Sequence, residues 1–136
     1  MNTADPVRPR GRILLVEDNA DAAYYLTRVL TTMGDFDVAH TLDPAVALRR
    51  ATTEPWDLVL TDVDLPGMSG LDLLRALRQA DPALPVAVIT ADVIAGAAAD
   101  ALNHGADAYL EKPVSPARLL AVVAALTAGR AARPPA

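Results

Sequence analysis

The chain has 136 residues, 52% of them hydrophobic, and a formal charge of -5; this is the length of one domain with enough apolar material for a core, which excludes a wholly disordered chain. The acidic balance disfavours direct contact with nucleic acid, whose phosphates require a basic surface, and the absence of cysteine excludes disulfides and thiolate metal sites. No apolar stretch is long enough to span a bilayer, and the first twelve residues, with three arginines, two prolines and no apolar segment, are not a signal peptide, so a cytoplasmic protein is expected.

Residues 1–11 are expected to be a flexible extension, with Arg8, Arg10 and Arg12 a solvated tail and not a nucleic-acid patch. Arg12 to Val16 (RILLV) is a short apolar run and reads as the first strand. Asn19 caps a first helix whose apolar positions Ala22, Ala23, Leu26, Val29, Leu30 and Met33 keep the helical period, and Gly34 stops it. Asp37 to His40 is a weak second strand. Asp43-Pro44 is a cap followed by proline at the first helical position, and the second helix runs to about Ala51 before Pro55.

Leu58 to Thr61 is the third strand, preceded by Trp56 as a packing residue. Ser69 or Gly70 opens a third helix with Leu71, Leu74 and Leu77 on one face, and Asp81-Pro82 ends it. Pro85 to Thr90 is the fourth strand. The fourth helix covers roughly 93–103, is alanine-rich and interrupted by Gly96, and is expected to be the loosest element. Asp107 to Leu110 is the fifth strand. Ser115-Pro116 repeats the cap-plus-proline start, and the fifth helix carries Leu119, Leu120, Val122, Val123 and Leu126; residues 128–136 are expected to be a disordered tail.

Strands alternating with helices in this way argue for a five-stranded parallel sheet covered on both faces, with every strand's carboxyl end on one edge. Just past those ends lie Glu17-Asp18, Asp62, Thr90 and Glu111-Lys112-Pro113, while the second strand offers only His40 and Thr41. In a sheet of order 2-1-3-4-5 the first and third strands flank the topological switch point, so Glu17, Asp18 and Asp62 share one crevice and Thr90 and Lys112 line its far side. Three carboxylates so close repel one another unless one is protonated or a cation is present. An all-oxygen site open to water suits Mg2+. Lys112, the only lysine in the chain, together with that cation can neutralise a phosphoryl group on Asp62, and Thr90 can donate to its oxygen. This is phosphoryl transfer to a carboxylate, which needs no general base.

Each group also has a plainer reading. Glu17-Asp18 fits a helix start favoured by the dipole, Asp62 a turn cap, Thr90 an ordinary strand end, Lys112 a surface lysine and Tyr109 plain packing. It is the convergence of four separate segments that outweighs these. His40 and His104 read as chemically silent, His104 as a helix-end residue.

The segments ILLVEDN (13–19), LVLTDVDLPGMSG (58–70), VITA (88–91) and GADAYLEKP (105–113) resemble the receiver domain of two-component response regulators over about 12–127. The resemblance implies a flavodoxin-like, doubly wound (βα)5 fold. It implies Asp62 as phosphoacceptor from a histidine kinase or histidine phosphotransfer protein. Asp18 would bind Mg2+ directly, Glu17 through water, and Asp64 through its backbone carbonyl. Lys112 would contact the phosphoryl group, Thr90 would be the switch hydroxyl aided by the Ala91 amide, and Tyr109 the switch aromatic. The Lys112–Pro113 peptide is expected to be cis. The output would be the face of the fourth helix, fifth strand and fifth helix, acting on a downstream protein, in a monomer or a phosphorylation-dependent dimer that catalyses only its own phosphorylation and dephosphorylation. Asp64 and Asp92, both acidic at positions variable in the family, are expected to alter the rate of phosphoryl loss.

Two alternatives are open at this point. Asp62-Val63-Asp64 also fits the DxD signature of haloacid-dehalogenase-type phosphatases, although there the motif follows the first strand. A pseudo-receiver that only binds partners is the other. The sequence leaves no room after the fifth helix for a DNA-binding or enzymatic domain, so either a stand-alone regulator or an excised domain of a longer protein is expected.

Overall fold

A computed structural model describes residues 11–91 and 97–131, without the side chains of 97–99 and 129–131. The strands are β1 (Arg12–Val16), β2 (Asp37–Thr41), β3 (Leu58–Asp62), β4 (Val86–Thr90) and β5 (Ala108–Glu111); the helices are α1 (Ala20–Arg28), α2 (Pro44–Thr53), α3 (Gly70–Ala80), α4 (Ala97–Asn103) and α5 (Pro116–Ala131). All five strands are parallel, in the order β2-β1-β3-β4-β5.

The pleat sends alternate side chains to opposite faces. Ile13 and Leu15 pack with Leu26, Leu30, Leu119 and Val123 beneath α1 and α5. Leu14 and Val16 pack with Ala47, Leu73, Leu74 and Leu77 beneath α2 and α3. Every residue of β3 and β4 is buried, the signature of central strands covered on both faces. The expected caps are present: Asn19 Oδ1 accepts from the Ala22 amide, Asp43 Oδ1 from Ala45 and Ser69 Oγ from Asp72.

Three boundaries differ from the sequence reading. The first helix does not stay α-helical to Met33: Val29–Met33 is a π-helical turn, whose longer hydrogen-bond step keeps Val29 and Leu30 buried while Met33, expected on the same face, is exposed. Strand 5 sits one residue later than expected, ending at Glu111. The tail expected from residue 128 is helical as far as Ala131, because alanine and arginine are strong helix formers and the single Gly129 costs only about 1 kcal/mol. Residues 1–10, 92–96 and 132–136 lie outside the described residues, and with them Asp92 and the start expected for the fourth helix. Among the described residues no helix is long and apolar enough to cross a membrane.

Candidate functional site

The carboxyl ends of β1, β3, β4 and β5 meet on one edge, and the register fixes their depth. Val16 pairs with Thr61, Asp62 with Ile89, and Thr90 with Glu111. Asp62 is thus the last β3 residue, level with the last turn of core, and Glu17 is the first residue past β1.

The turn after Asp62 explains its glycines. Gly67 has φ 83, a left-handed conformation that favours glycine. Gly70 donates its amide to the Val63 carbonyl at 2.8 Å, which brings the start of α3 onto the end of β3. Within the turn the Asp64 amide donates to Asp62 Oδ1 at 3.0 Å.

Glu17, Asp18 and Asp62 each place a carboxylate oxygen within 4.8 Å of the others. Glu17 is fully buried and Asp62 nearly so, whereas Asp18 is exposed. Lys112 Nζ donates to Glu17 Oε1 at 2.5 Å and to Asp62 Oδ2 at 2.7 Å. The Asn19 amide donates to Glu17 Oε2 at 3.1 Å. Burial pushes the Glu17 carboxyl above its ordinary range; the bonds from Lys112 and the Asn19 amide pull it down but do not cancel the effect, and Asp62 adds to it. Lys112 is pulled down by burial, yet its bonds to Asp62 and Glu17 outweigh this and hold it above its ordinary range.

One lysine faces three carboxylates, so the edge carries surplus negative charge around hard oxygen donors, one of them open to water. That donor set fits Mg2+, which takes one or two carboxylates and keeps several waters. Asp64 stands outside the carboxylate trio with an exposed side chain. Thr90 is buried at 2% exposure at the end of β4. Its carbonyl accepts the Lys112 amide at 2.8 Å, which ties the threonine's strand end to the lysine. Tyr109 is half-buried on β5 against the core cluster under α3. The Lys112–Pro113 peptide is cis.

The structure therefore brings Glu17, Asp18, Asp62 and Lys112 into contact, with Thr90 on the adjoining strand end and Tyr109 one strand further out. It also gives a place at the site to His40, which the sequence reading took as chemically silent, and to Tyr25, which it did not single out. His40 Nε2 lies 2.7 Å from the Glu17 carbonyl oxygen. The Tyr25 hydroxyl, on α1, donates to the Val114 carbonyl at 2.7 Å, holding the loop that follows Lys112. His40 stood at a strand end in the sequence; Tyr25 gave no signal, because its partner is a backbone carbonyl. His104, as expected of a helix-end residue, sits with Nδ1 2.6 Å from the Asp100 carbonyl.

A family profile described as the response regulator receiver domain matches residues 13–124. The DNA-binding response regulator MtrA of Mycobacterium tuberculosis (strain ATCC 25618 / H37Rv) is 44% identical over 121 residues, which cover 85% of this chain and 50% of that protein. The transcriptional regulatory protein PrrA of the same organism is 40% identical over 120 residues, covering 85% of this chain and 49% of that protein. The chain spans about half the length of these curated relatives. Among solved structures, the receiver domain of the sensor histidine kinase PA1611 from Pseudomonas aeruginosa PAO1, with a magnesium ion coordinated in its active site cleft, is similar at TM-score 0.79 and 28% identity, over 87% of this chain and 98% of that chain. A CheY-like receiver domain protein from Methanospirillum hungatei JF-1 is similar at TM-score 0.81 and 28% identity, over 88% and 95%.

Proposed function

The chain belongs to the response regulator receiver domain family, and from that premise we propose that Asp62 accepts a phosphoryl group from a histidine kinase or histidine phosphotransfer protein. The observation that carries the proposal is the placement of Asp62 Oδ2 2.7 Å from Lys112 Nζ inside the trio of carboxylates gathered within 4.8 Å.

One carboxylate oxygen of Asp62 attacks the phosphorus of the donor's phosphohistidine. The new P–O bond forms as the P–N bond breaks, the electron pair remains on the imidazole nitrogen, and that nitrogen is protonated from solvent. A carboxylate nucleophile needs no general base, so catalysis consists of positioning and charge neutralisation. Lys112 stands beside the acceptor oxygen and pairs with the phosphoryl group once it is attached. Glu17, Asp18, Asp62 and the Asp64 carbonyl are the residues that would hold Mg2+, which supplies positive charge against the phosphoryl oxygens.

The phosphorylated state is read by Thr90 and the Ala91 amide, which bond to phosphoryl oxygen, and by Tyr109, which turns inward as Thr90 moves. Converting a 1:99 population to 99:1 requires about 5.5 kcal/mol of differential interaction. Two or three charge-assisted hydrogen bonds at about 1.5–3 kcal/mol each are of that size, so Lys112, Thr90 and the Ala91 amide suffice. The face of α4, β5 and α5 then presents a different surface to a protein partner in the cytoplasm, with the chain monomeric or dimerising on phosphorylation. DNA binding, named for the longer MtrA, is not proposed for this acidic half-length itself.

The family assignment argues against the haloacid-dehalogenase alternative. The DxD pair follows β3, and Asp64 is exposed outside the carboxylate trio. We keep Asp64 as a tuner of phosphoryl loss: Asp64→Asn changes the lifetime of the adduct, and an unchanged lifetime removes that role.

The test is intact mass after incubation with acetyl phosphate and Mg2+. The parent gains one phosphoryl group and Asp62→Asn gains none. A parent that stays unmodified refutes the proposal and leaves a pseudo-receiver; continuous turnover of a small phosphomonoester revives the phosphatase.

A further inference from the structure

Glu17 is the first residue beyond β1, and its backbone is held by β2 on both sides. Its amide donates to the Thr41 carbonyl at 3.1 Å, the last rung between the two strands. In a parallel ladder the residue that donates to Thr41 accepts in turn, on its own carbonyl, from the amide two residues beyond Thr41. That amide belongs to Asp43, which has turned away to cap α2 and donates to Thr41 Oγ1 at 3.2 Å. His40 takes the missing amide's place, with Nε2 2.7 Å from the Glu17 carbonyl oxygen. A carbonyl only accepts, so Nε2 carries the proton and donates.

The Glu17 carbonyl lies in the same planar peptide unit as the Asp18 amide. The His40 bond therefore sets the orientation of the peptide that leads into Asp18. On the far side the Asn19 amide bonds Glu17 Oε2 at 3.1 Å, and the Asn19 side chain caps α1. Asp18 is suspended between these two anchors. It is exposed, so little packing fixes it, and the direction of the peptide before it decides where its carboxylate falls.

We infer that His40 is a positioning residue for the acid pair Glu17–Asp18, setting the cation affinity of the site through the Glu17 backbone. The inference rests on the Mg2+-dependent phosphoacceptor reading. An imidazole on the edge strand does here what a ladder amide would do if β2 continued, and it does so only while the side chain can reach the carbonyl. His40 is itself exposed, so replacing it removes a hydrogen bond and little core.

The experiment is Mg2+ titration of the parent, His40→Ala and His40→Gln, followed by amide NMR shifts at Asp18 and Asn19, with Tm read alongside. His40→Ala is expected to raise the Mg2+ Kd about 10-fold, the size seen when the partner that orients a ligand is removed. His40→Gln, whose side-chain amide can donate to the same carbonyl, is expected to return it to within about 2-fold of the parent. At saturating Mg2+ all three proteins label with acetyl phosphate at similar maximal rates, so the change sits in the cation requirement alone. A His40→Ala protein with the parent's Kd overturns the inference, whether or not its Tm falls. So does a His40→Gln protein no better than His40→Ala. A parent that shows no Mg2+ shifts at Asp18 and Asn19 fails at the level of the phosphoacceptor reading instead, which separates the two failures.

Discussion

Gly70 lies so close to Asp62 that a Cβ on Gly70 would fall 2.2 Å from the Asp62 carbonyl oxygen, and 2.6 Å from Val63 Cα. Both neighbours are backbone and cannot rotate away. Gly70→Ala must therefore push the start of α3 off the end of β3, and overpacking of this kind costs about 1–3 kcal/mol. The displaced atoms belong to the proposed acceptor residue, so labelling of Asp62 by acetyl phosphate is expected to slow as well. Ser69→Ala is the control. It removes the cap on the Asp72 amide at a comparable cost of about 1 kcal/mol but leaves Asp62 in place. Urea unfolding and labelling rates on the two variants read this directly; equal labelling in both would show that the close approach does not position the acceptor.

Lys112→Met removes the cation paired with both a fully buried Glu17 and a nearly buried Asp62. Leaving buried charge without its partner costs about 3 kcal/mol, an upper figure here because the lysine side chain is 20% exposed and Glu17 can relieve the repulsion by taking a proton. The loss is expected to shrink when Mg2+ is added, since a ligand that binds only the folded state stabilises it. Labelling of Asp62 is expected to fall even at saturating Mg2+. Chemical denaturation with and without Mg2+ checks the first part, and intact mass the second. A Lys112→Met protein as stable as the parent in EDTA would contradict the ion-pair account.

Without a divalent cation, stability should decline with rising pH in a window set by Glu17. Burial raises its folded value above 4.5, so between 4.5 and that raised value the folded state binds more protons than the unfolded state. Stability from this group is fully present below the unfolded value and is lost as pH rises through the folded one. The Lys112 shift is also upward, so its contribution stays intact across this range and is lost only at alkaline pH. Glu17→Gln is expected to flatten the acidic slope in EDTA. Tm measured from pH 5 to pH 8 on the parent and Glu17→Gln decides it, and parallel curves would remove Glu17 as the cause.

The polar strand ends were legible because each is a side chain whose type announces its chemistry: Glu17, Asp18, Asp62, Thr90 and Lys112 follow short apolar runs that the flanking turn residues mark as strands. The caps at Asn19, Asp43 and Ser69 were legible for the same reason. The bonds between side chain and backbone were not. Nothing in the composition around His40 says that a carbonyl 23 positions away has lost its ladder amide, nor does Tyr25 reveal a partner at Val114. The π-helical turn at Val29–Met33 hides because Val29 and Leu30 bury the same face in either helix type. The end of α5 hides because alanine reads equally well as helix and as tail.

Thr90 and Lys112 are tied through the backbone, since the Lys112 amide donates to the Thr90 carbonyl at 2.8 Å. The Thr90 hydroxyl can therefore be removed without moving the lysine. Thr90→Ala gives up the proposed charge-assisted hydrogen bond from the hydroxyl to the phosphoryl group, worth about 1.5–3 kcal/mol. That lowers the labelling of Asp62 by no more than about 150-fold in equilibrium terms, and a well-formed adduct is still expected by intact mass. The conformational readout is expected to fail more completely, because in the proposed switch the threonine links the phosphoryl group to Tyr109. Tyr109 is half-buried on β5, next to Val88 across the β4–β5 pair, so its ring resonances report whether it has moved inward. Phosphorylated parent protein is expected to show a shifted Tyr109 ring, and phosphorylated Thr90→Ala an unshifted one. If the Tyr109 ring responds equally in both, the switch runs through the Lys112 side of the site and not through Thr90.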